Sequence, residues 1–336
     1  MSSSPVIIWF RRDLRLADHE ALTAACATER PVIPVFIYDD QLAQLGAAPK
    51  MRMGLAVEKL QQALQDKASR LILRKGAALD VLRSLVDETG ATSVFCSRLY
   101  DPDSKARDTD VKAALKDDGL DVRSFAGHLL FEPWTVETKT GGFYKVYTPM
   151  WKAVKNRDLP DSLPTPAKVP TPDHWPASDE LADWAMAADM QRGATILAAH
   201  CTVGETAANA RLGEFIANNV ARYAQNRDLP AVAGTSRLSE NLTYGEISPR
   251  TCWHAGMQAL HDGKDDADVT ARKRGRTCIR FFDSAMREMY VTGTMHNRGR
   301  MIVASYLTKH LLSHWKIGMD WFADCLIDWD PCSNAM

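Results

Sequence analysis

The sequence predicts an α/β N-terminal domain, Rossmann-like with a five-stranded parallel sheet, followed by an all-helical C-terminal domain. Three observations lead to this prediction. Strand and helix patterns alternate over residues 1–130, six prolines fall within residues 159–176, and only helical patterns follow from about residue 178. Alternating strands and helices indicate βαβ units, which form parallel sheets with right-handed crossovers. The length of 336 residues fits about two domains.

The strand predictions rest on short apolar runs. Val6–Phe10 is apolar throughout, as a parallel strand buried on both faces requires. The other four predicted strands are Val32–Tyr38, Arg70–Arg74, Thr92–Ser97 and Asp121–Phe125. Helical patterns lie between the strands, at residues 19–27, 50–68, 77–89 and 103–117. Ligands of such sheets sit at the carboxyl ends of the strands, but the glycine-rich signatures of NAD and ATP sites are absent from the sequence.

The prolines mark the division between the predicted domains. Proline cannot donate to a helix and restricts the residue before it, so residues 131–177 are predicted as a proline-rich linker. This leaves residues 1–130 for the α/β domain and residues 178–336 for the helical domain. Six helices are predicted in the second domain, at residues 178–200, 204–225, 246–260, 278–292, 295–314 and 318–327.

Composition and charge exclude several classes of protein. The chain is 46% hydrophobic and 25% charged, which is typical of a soluble globular protein rather than a disordered or fibrous one. Because no apolar run is long enough for a membrane helix and the N-terminus lacks a signal-peptide pattern, we expect a cytoplasmic protein. Seven cysteines without a Cys-x-x-Cys motif argue against a disulfide framework and against a structural zinc site, and we expect no metal.

The charges are unevenly distributed along a chain whose formal net charge is −1. Residues 222–316 hold 15 Lys and Arg against 9 Asp and Glu. Such a basic region indicates either a polyanion partner or a solvated surface. The loop after the first strand, Arg11–Arg15, is also dense in charge. It is interpreted either as a solvated loop or as a surface near a ligand or the second domain.

Polar residues of the second domain suggest a ligand site. Hydroxyls and an arginine occur together in the segment Gly234–Ser239, either to hold phosphate or simply to cap a helix. Asn297 and Arg300 share one face of a predicted helix. Asp328 and Asp330 lie in an apolar segment, where one carboxylate could neutralise Arg300.

These residues carry a family resemblance. Ile7–Arg15, Gly234–Ser239, Gly245–Arg250 and Met295–Met301 resemble, in order, motifs of the cryptochrome/DNA photolyase family, whose members use FAD and blue light. The resemblance spans nearly the whole chain. It implies an α/β antenna domain, a linker and a helical FAD domain. This agrees with the domain organisation predicted from the strand, helix and proline patterns.

The resemblance also implies roles for individual residues. The FAD phosphates and adenosine side would contact Tyr223, Thr235, Ser236, Arg237, Leu238 and Ser239. The isoalloxazine pocket would be lined by Asn297 and by Arg300 paired to Asp328, with Asp330 near the flavin or ribitol. Asn334 would lie beside flavin N5 and tune its protonation and redox state.

Two further sets of residues are implied for DNA and for electron transfer. Arg227 and Arg298 match positions that contact DNA phosphates in relatives, and the basic stretch Arg272, Lys273, Arg274 and Arg276 is predicted to add phosphate contacts. Trp315 matches one tryptophan of the electron relay that photoreduces the flavin.

The implied activity is repair of cyclobutane pyrimidine dimers by an electron from reduced flavin. The chain departs from the family pattern at two places. Thr251–Asp268 runs almost directly into Arg272–Thr277, where relatives carry a further helical segment, and the chain stops at Met336. We therefore expect a shortened FAD domain that lacks part of the dimer pocket and two of the relay tryptophans. Two alternatives stay open: a cryptochrome-like flavin photoreceptor without repair, and a shortened member that no longer binds FAD or repairs DNA. A second antenna chromophore is possible but unidentified, and Asp103-Ser104 argues against the family's folate contact.

Overall fold

The computed structural model describes residues 4–138, 141–191, 193–262, 279–309 and 314–330. The predicted site residues Arg272, Lys273, Arg274, Arg276 and Asn334 lie outside these ranges. Within them, no helix combines the length and the apolar character needed to cross a membrane.

The N-terminal part contains the predicted five-stranded parallel sheet. The strands are β1 (Val6–Phe10), β2 (Val32–Tyr38), β3 (Ile72–Lys75), β4 (Ser93–Ser97) and β5 (Asp121–Phe125). Their order across the sheet is β3-β2-β1-β4-β5, and every neighbouring pair is parallel. The helices of this part are α1 (Glu20–Cys26), α2 (Asp40–Ala43), α3 (Ala47–Gln65), α4 (Ala78–Thr89) and α5 (Pro102–Asp117).

The central strand is buried on both faces. Ile8 and Phe10 belong to one hydrophobic cluster, and Ile7 and Trp9 belong to another on the opposite face. Successive side chains of a strand point to opposite faces, so helices packed on both sides make every position of β1 apolar. This explains why a continuous apolar run predicted the strand.

Protein side chains occupy the crevice where the strand order reverses, at the carboxyl ends of β1 and β4. Trp9 lies between Arg11 and Arg107, whose guanidinium carbons are 4.3 and 5.0 Å from its ring centroids. Arg11 also pairs with Asp108 at 2.8 Å. Nucleotides commonly bind at such a crevice in α/β sheets. Here its buried ion pairs are satisfied within the protein.

The segment after the sheet is more ordered than a plain linker. Helix α6 (Tyr147–Val154) was not predicted. Further along, the Asp179 N–H donates to the Leu73 carbonyl at 2.8 Å, and Arg74 donates to the Ala177 carbonyl at 2.9 Å. These contacts cover the outer edge of β3, where exposed backbone groups would otherwise pair with another chain.

The C-terminal part is helical in the described residues. Its α-helices are α7 (Gly193–Ala198), α8 (Glu205–Asn218), α9 (Tyr223–Asn226), α10 (Ser239–Thr243), α11 (Pro249–His261), α12 (Ile279–Thr292), α13 (Asn297–Lys309) and α14 (Trp315–Cys325). The prediction of one helix over residues 178–200 was wrong. Ala185 and Gln191 adopt left-handed φ angles of 47° and 48°, which end two short 3-10 segments before α7 begins.

The charged loop after β1 contacts the helical part. The Leu14 N–H donates to the Tyr244 carbonyl at 3.1 Å, and the Arg15 guanidinium donates to the Gly245 carbonyl at 2.9 Å. Of the two interpretations left open for residues 11–15, the structure supports the surface near the second domain.

Candidate functional site

A cavity of about 950 Å³ lies between the carboxyl ends of the strands and the helices of the C-terminal part. Its α/β wall comes from the loops after β1, β4 and β5, and includes Arg12, Tyr100 and His128. Its helical wall comes from residues 223–243 and 288–300 and from the segment after α14. Cofactor and ligand sites typically have volumes of about 300–1,000 Å³, so this cavity is large enough for one extended ligand.

Hydroxyl groups of the loop before α10 are available to a ligand. The Thr235 and Ser239 side chains line the cavity and make no hydrogen bond to any described residue. Helix α10 begins at Ser239, and its N-cap residue, Leu238, provides no side-chain cap. Simple helix capping, the other interpretation of these hydroxyls, therefore does not account for them. Arg237 adopts a left-handed φ of 52°, an uncommon conformation for a residue other than glycine.

Arg211 of α8 holds this loop in place. Its Nη1 atom donates to the Arg237 carbonyl at 2.8 Å and to Glu240 Oε2 and Asn241 Oδ1 at 3.0 Å each. Its Nη2 atom donates to the Thr202 hydroxyl. Because sparsely populated backbone conformations persist only where the surroundings determine them, Arg211 is well placed to maintain the conformation of Arg237.

A buried charge network lies beneath the same loop. Arg52 of α3 donates to Glu240 at 2.7 Å and to Glu246 at 2.7 and 3.0 Å. Burial opposes the charge of Arg52, but hydrogen bonding to Glu246 and the charges of Glu246 and Glu240 raise its pKa above the usual value. The α/β part thus supplies a cation that neutralises two buried carboxylates of the helical part.

A second ion pair also lines the cavity. Arg300 Nη2 lies 2.8 and 2.7 Å from the two carboxylate oxygens of Asp328, and Arg300 Nε donates to the Met295 carbonyl at 3.0 Å. Asp328 is buried, so its charge requires such a partner. Asn297, at the start of α13, lies nearly one turn before Arg300 on the cavity side.

Arg12 and His128 form part of the α/β wall. Arg12 pairs with Asp330 at 2.9 Å and donates to the Thr243 carbonyl at 3.1 Å. The Nε2 atom of His128 is buried and has no hydrogen-bond partner among the described residues. Burial, together with the positive charge of Arg12, lowers the pKa of His128 to about 3, so the ring is neutral at physiological pH.

Comparison with known proteins identifies this arrangement. Residues 6–172 match the family model described as DNA photolyase, and residues 239–336 match the FAD binding domain of DNA photolyase. A deoxyribodipyrimidine photo-lyase from Agrobacterium fabrum is 39% identical over 379 aligned positions, which cover 100% of this chain and 79% of the relative. The chain belongs to the DNA photolyase/cryptochrome family.

Relatives of both branches of the photolyase/cryptochrome family are similar to the chain. Cryptochrome-2 of Arabidopsis thaliana is 32% identical over 96% of this chain and 62% of its own length. The crystal structure of a class III photolyase from Agrobacterium tumefaciens superposes with a TM-score of 0.90 and 38% identity, covering 100% of this chain and 79% of that one. The family resemblance and the fold class predicted from the sequence are therefore confirmed.

FAD is the cofactor of a photolyase-type C-terminal domain, and the residues present fit it. The cavity has the size of a cofactor site. It offers the hydroxyls of Thr235 and Ser239 and the buried Nε2 atom of His128, none of which has a partner among the described residues. The His128 nitrogen is buried, and a buried polar atom is costly unless a ligand or water satisfies it.

The structure brings most of the predicted cofactor residues together. Ten of them line the cavity: Tyr223, Thr235, Ser236, Arg237, Leu238, Ser239, Asn297, Arg300, Asp328 and Asp330. Their individual roles toward FAD stay predictions. The eleventh, Asn334, lies outside the described residues.

The predicted DNA and relay residues are more scattered. Arg227 and Arg298 also line the cavity, and both are near Asp228. Trp315 is 52% exposed at the start of α14 and is not part of the cavity wall. The basic stretch at residues 272–276 lies outside the described residues.

Several cavity residues received no role from the sequence, among them Arg12, His128, Arg211 and Asp228. The charge-dense loop after the first strand was a usable signal for Arg12. Asp228 stands beside a predicted DNA contact, Arg227, which is a weaker signal. Nothing in the sequence distinguishes His128 or Arg211 from other histidines and arginines of the chain.

Proposed function

We propose that this protein is an FAD-dependent photolyase that uses blue light to split cyclobutane pyrimidine dimers in DNA. One observation carries the proposal. Residues from four separate stretches of sequence, each matched to a cofactor role by motif, line a single cavity whose rim also holds Arg227 and Arg298.

The loop at Thr235–Ser239 would hold the phosphate end of the cofactor. The Thr235 and Ser239 hydroxyls can donate to phosphate oxygens, and Arg237 supplies a positive charge nearby. Arg211 fixes the loop backbone at Arg237, so this part of the loop is already arranged before the cofactor arrives. Preorganised donors reduce the entropic cost of binding.

The flavin end would be bordered by Asn297 and by the pair of Arg300 with Asp328. When bound and excited by light, reduced FAD would supply the electron that opens the cyclobutane ring, and the electron would return to it once the ring has split. The protein would present a neutralised cation and an amide at this end, while the cofactor supplies the reaction itself. A buried pair with fixed geometry adds polar contacts without adding net charge.

The rim would bind DNA through its phosphates. Arg227 and Arg298 are exposed enough to reach a polyanion, and phosphate contacts would position the duplex without reading its sequence. The dimer would then leave the base stack to reach the cavity, as chemistry on a base requires.

Two measurements on freshly purified protein test the proposal. We expect flavin absorbance to co-elute with the protein, and we expect blue light to remove dimers from an irradiated oligonucleotide. The matched control is the same sample kept in the dark. Colourless protein that does not take up added FAD, or flavin-loaded protein that leaves the dimers intact in light, would contradict the proposal.

A cryptochrome-like photoreceptor is the second candidate. It is supported by the 32% identity to an Arabidopsis cryptochrome. The alignment to the Agrobacterium photo-lyase also supports it. That alignment extends over 379 positions, whereas this chain has 336 residues. The photo-lyase therefore contains residues that have no counterpart in this chain. Bound flavin that changes its redox state in light without dimer repair would favour this candidate.

A further inference from the structure

Asp228 lies between two arginines at the mouth of the cavity. Its Oδ1 atom is 3.0 Å from Arg298 Nη2, 3.2 Å from Arg298 Nε and 3.8 Å from Arg227 Nε. The three side chains are 35%, 45% and 50% exposed for Asp228, Arg298 and Arg227 respectively. One carboxylate oxygen therefore stands between both guanidinium groups at a surface that solvent and a large partner can reach.

A contact that does not involve Asp228 joins the backbones of the two arginines. His296 accepts a hydrogen bond from the Arg298 backbone N–H at its Nδ1 atom, at 3.2 Å. The proton of the neutral ring then lies on Nε2, which donates to the Arg227 carbonyl at 3.1 Å. This ring joins the segment after α9 to the start of α13, so removing the carboxylate would leave the backbones of both arginines in place.

We infer that Asp228 is an internal counter-ion that occupies the position of a DNA phosphate between Arg227 and Arg298. The inference rests on the proposed function, because it takes DNA to be the polyanion that binds this rim. A phosphate that approaches the arginines must compete with the carboxylate or share them with it. Asp228 thus lowers the affinity of the rim for any DNA backbone, damaged or not.

Such a counter-ion leads to a quantitative expectation for Asp228→Asn, which keeps the shape of the side chain and removes its charge. An exposed ion pair is weak, so the variant should bind DNA only about two- to fivefold more tightly. Its affinity should also depend more steeply on salt. The slope of log K against log salt concentration should become steeper by up to about 0.9, the value for one additional phosphate contact.

The experiment uses the FAD-loaded protein in the dark and a short fluorescent DNA duplex, with and without one thymine dimer. Fluorescence anisotropy gives the dissociation constant at several NaCl concentrations. Asp228→Glu keeps the charge and should behave as the wild type does. Asp110→Asn makes the same charge change at an exposed position of α5 and should leave both affinity and slope unchanged.

The outcomes separate this inference from the proposed function. Tighter, steeper binding by Asp228→Asn alone supports the inference, and a return to the wild-type slope in Asp228→Asn combined with Arg298→Gln strengthens it. Equal or weaker binding by Asp228→Asn, or the same gain in Asp110→Asn, overturns it while DNA binding stands. Should the wild type show no salt-dependent binding and Arg227→Gln and Arg298→Gln change nothing, the DNA function itself fails.

Discussion

Arg211 maintains the cofactor loop through its contact with the Arg237 carbonyl. Replacing it as Arg211→Met keeps the aliphatic stem and removes the donors. Hydrogen bonds that involve a charged group are worth about 1.5–3 kcal/mol, so we expect the dissociation constant of FAD to rise about tenfold. Titration of apoprotein with FAD, followed by flavin fluorescence, measures the change.

The matched control for Arg211 is Arg83→Met, which removes an exposed ion pair with Asp118 in the α/β part. This control should leave the affinity for FAD unchanged, because Arg83 is remote from the cavity wall. An unaltered dissociation constant in Arg211→Met would show that the loop keeps its shape without this contact.

His128 makes the stability of the apoprotein sensitive to mild acid. Its pKa is lowered to about 3 in the folded state by burial and by Arg12, whereas an unfolded histidine titrates near 6.5. The unfolded state therefore binds a proton first as the pH falls, and stability declines from about pH 6.5 toward pH 3. Between pH 7 and pH 5 this difference in proton binding should lower the free energy of unfolding by about 1–2 kcal/mol.

Urea unfolding of wild type and His128→Gln at both pH values checks this expectation. The variant keeps a polar side chain of similar reach but cannot become charged, so its free energy of unfolding should fall less over the same interval. A decline of equal size in both proteins would mean that other groups cause the acid sensitivity.

Single residues show where sequence reasoning succeeds and where it stops. Thr235, Asn297 and Arg300 belong to motifs that resemble those of the family, and the resemblance implied that they would lie in one site. Arg211 and His128 act through groups that are remote in sequence. Their importance depends on burial and on partners that only the tertiary structure supplies.

Secondary-structure elements differ in how well local sequence determines them. The bounds of β1 were predicted correctly because burial on both faces leaves no polar position within the strand. The segment 178–200 has helical periodicity, yet Ala185 and Gln191 take left-handed conformations that end each short turn. Contacts with the rest of the chain outweighed local propensity there, and periodicity does not report such contacts.

The junction between the loop after β1 and the end of α10 provides a prediction at the scale of elements. Gly245 has a φ of 68°, and a Cβ atom at this position would overlap the Arg12 carbonyl. Gly245→Ala should therefore destabilise the protein both through its backbone conformation and by pushing the loop away from the helical part. We expect the free energy of unfolding to fall by about 2 kcal/mol more than the backbone conformation alone would cost.

Gly90→Ala isolates that conformational cost. Gly90 ends α4 with a φ of 67°, and an added Cβ atom would meet nothing within 4 Å. Its substitution should cost only about 1–2 kcal/mol, the usual penalty for a side chain in the left-handed region. Free energies from urea unfolding that are equal for the two variants would mean that the junction tolerates separation.

Across the whole molecule, the cavity belongs to both parts of the chain. Arg12, Tyr100 and His128 come from loops of the sheet, whereas residues 223–243 and 288–300 of the wall come from the C-terminal part. Arg52 extends from α3 into the buried network beneath the cofactor loop. A ligand that fills this cavity contacts both parts at once, so its binding energy should stabilise them together.

Cofactor binding is therefore predicted to make the two parts unfold as one unit. A ligand at one hundred times its dissociation constant adds about 2.7 kcal/mol to the stability of the state that binds it. Because the cavity wall includes loops at the ends of β1, β4 and β5, adding FAD to apoprotein should slow hydrogen exchange in those strands as well as in α10 and α13.

Arg12→Met removes the pair with Asp330 and the bond to the Thr243 carbonyl, and should uncouple the strands from this effect. In that variant FAD should still protect α13, while protection of β1 falls toward the apoprotein value. Protection confined to the helices in the wild type would show instead that the α/β part only borders the cofactor and shares none of its binding energy.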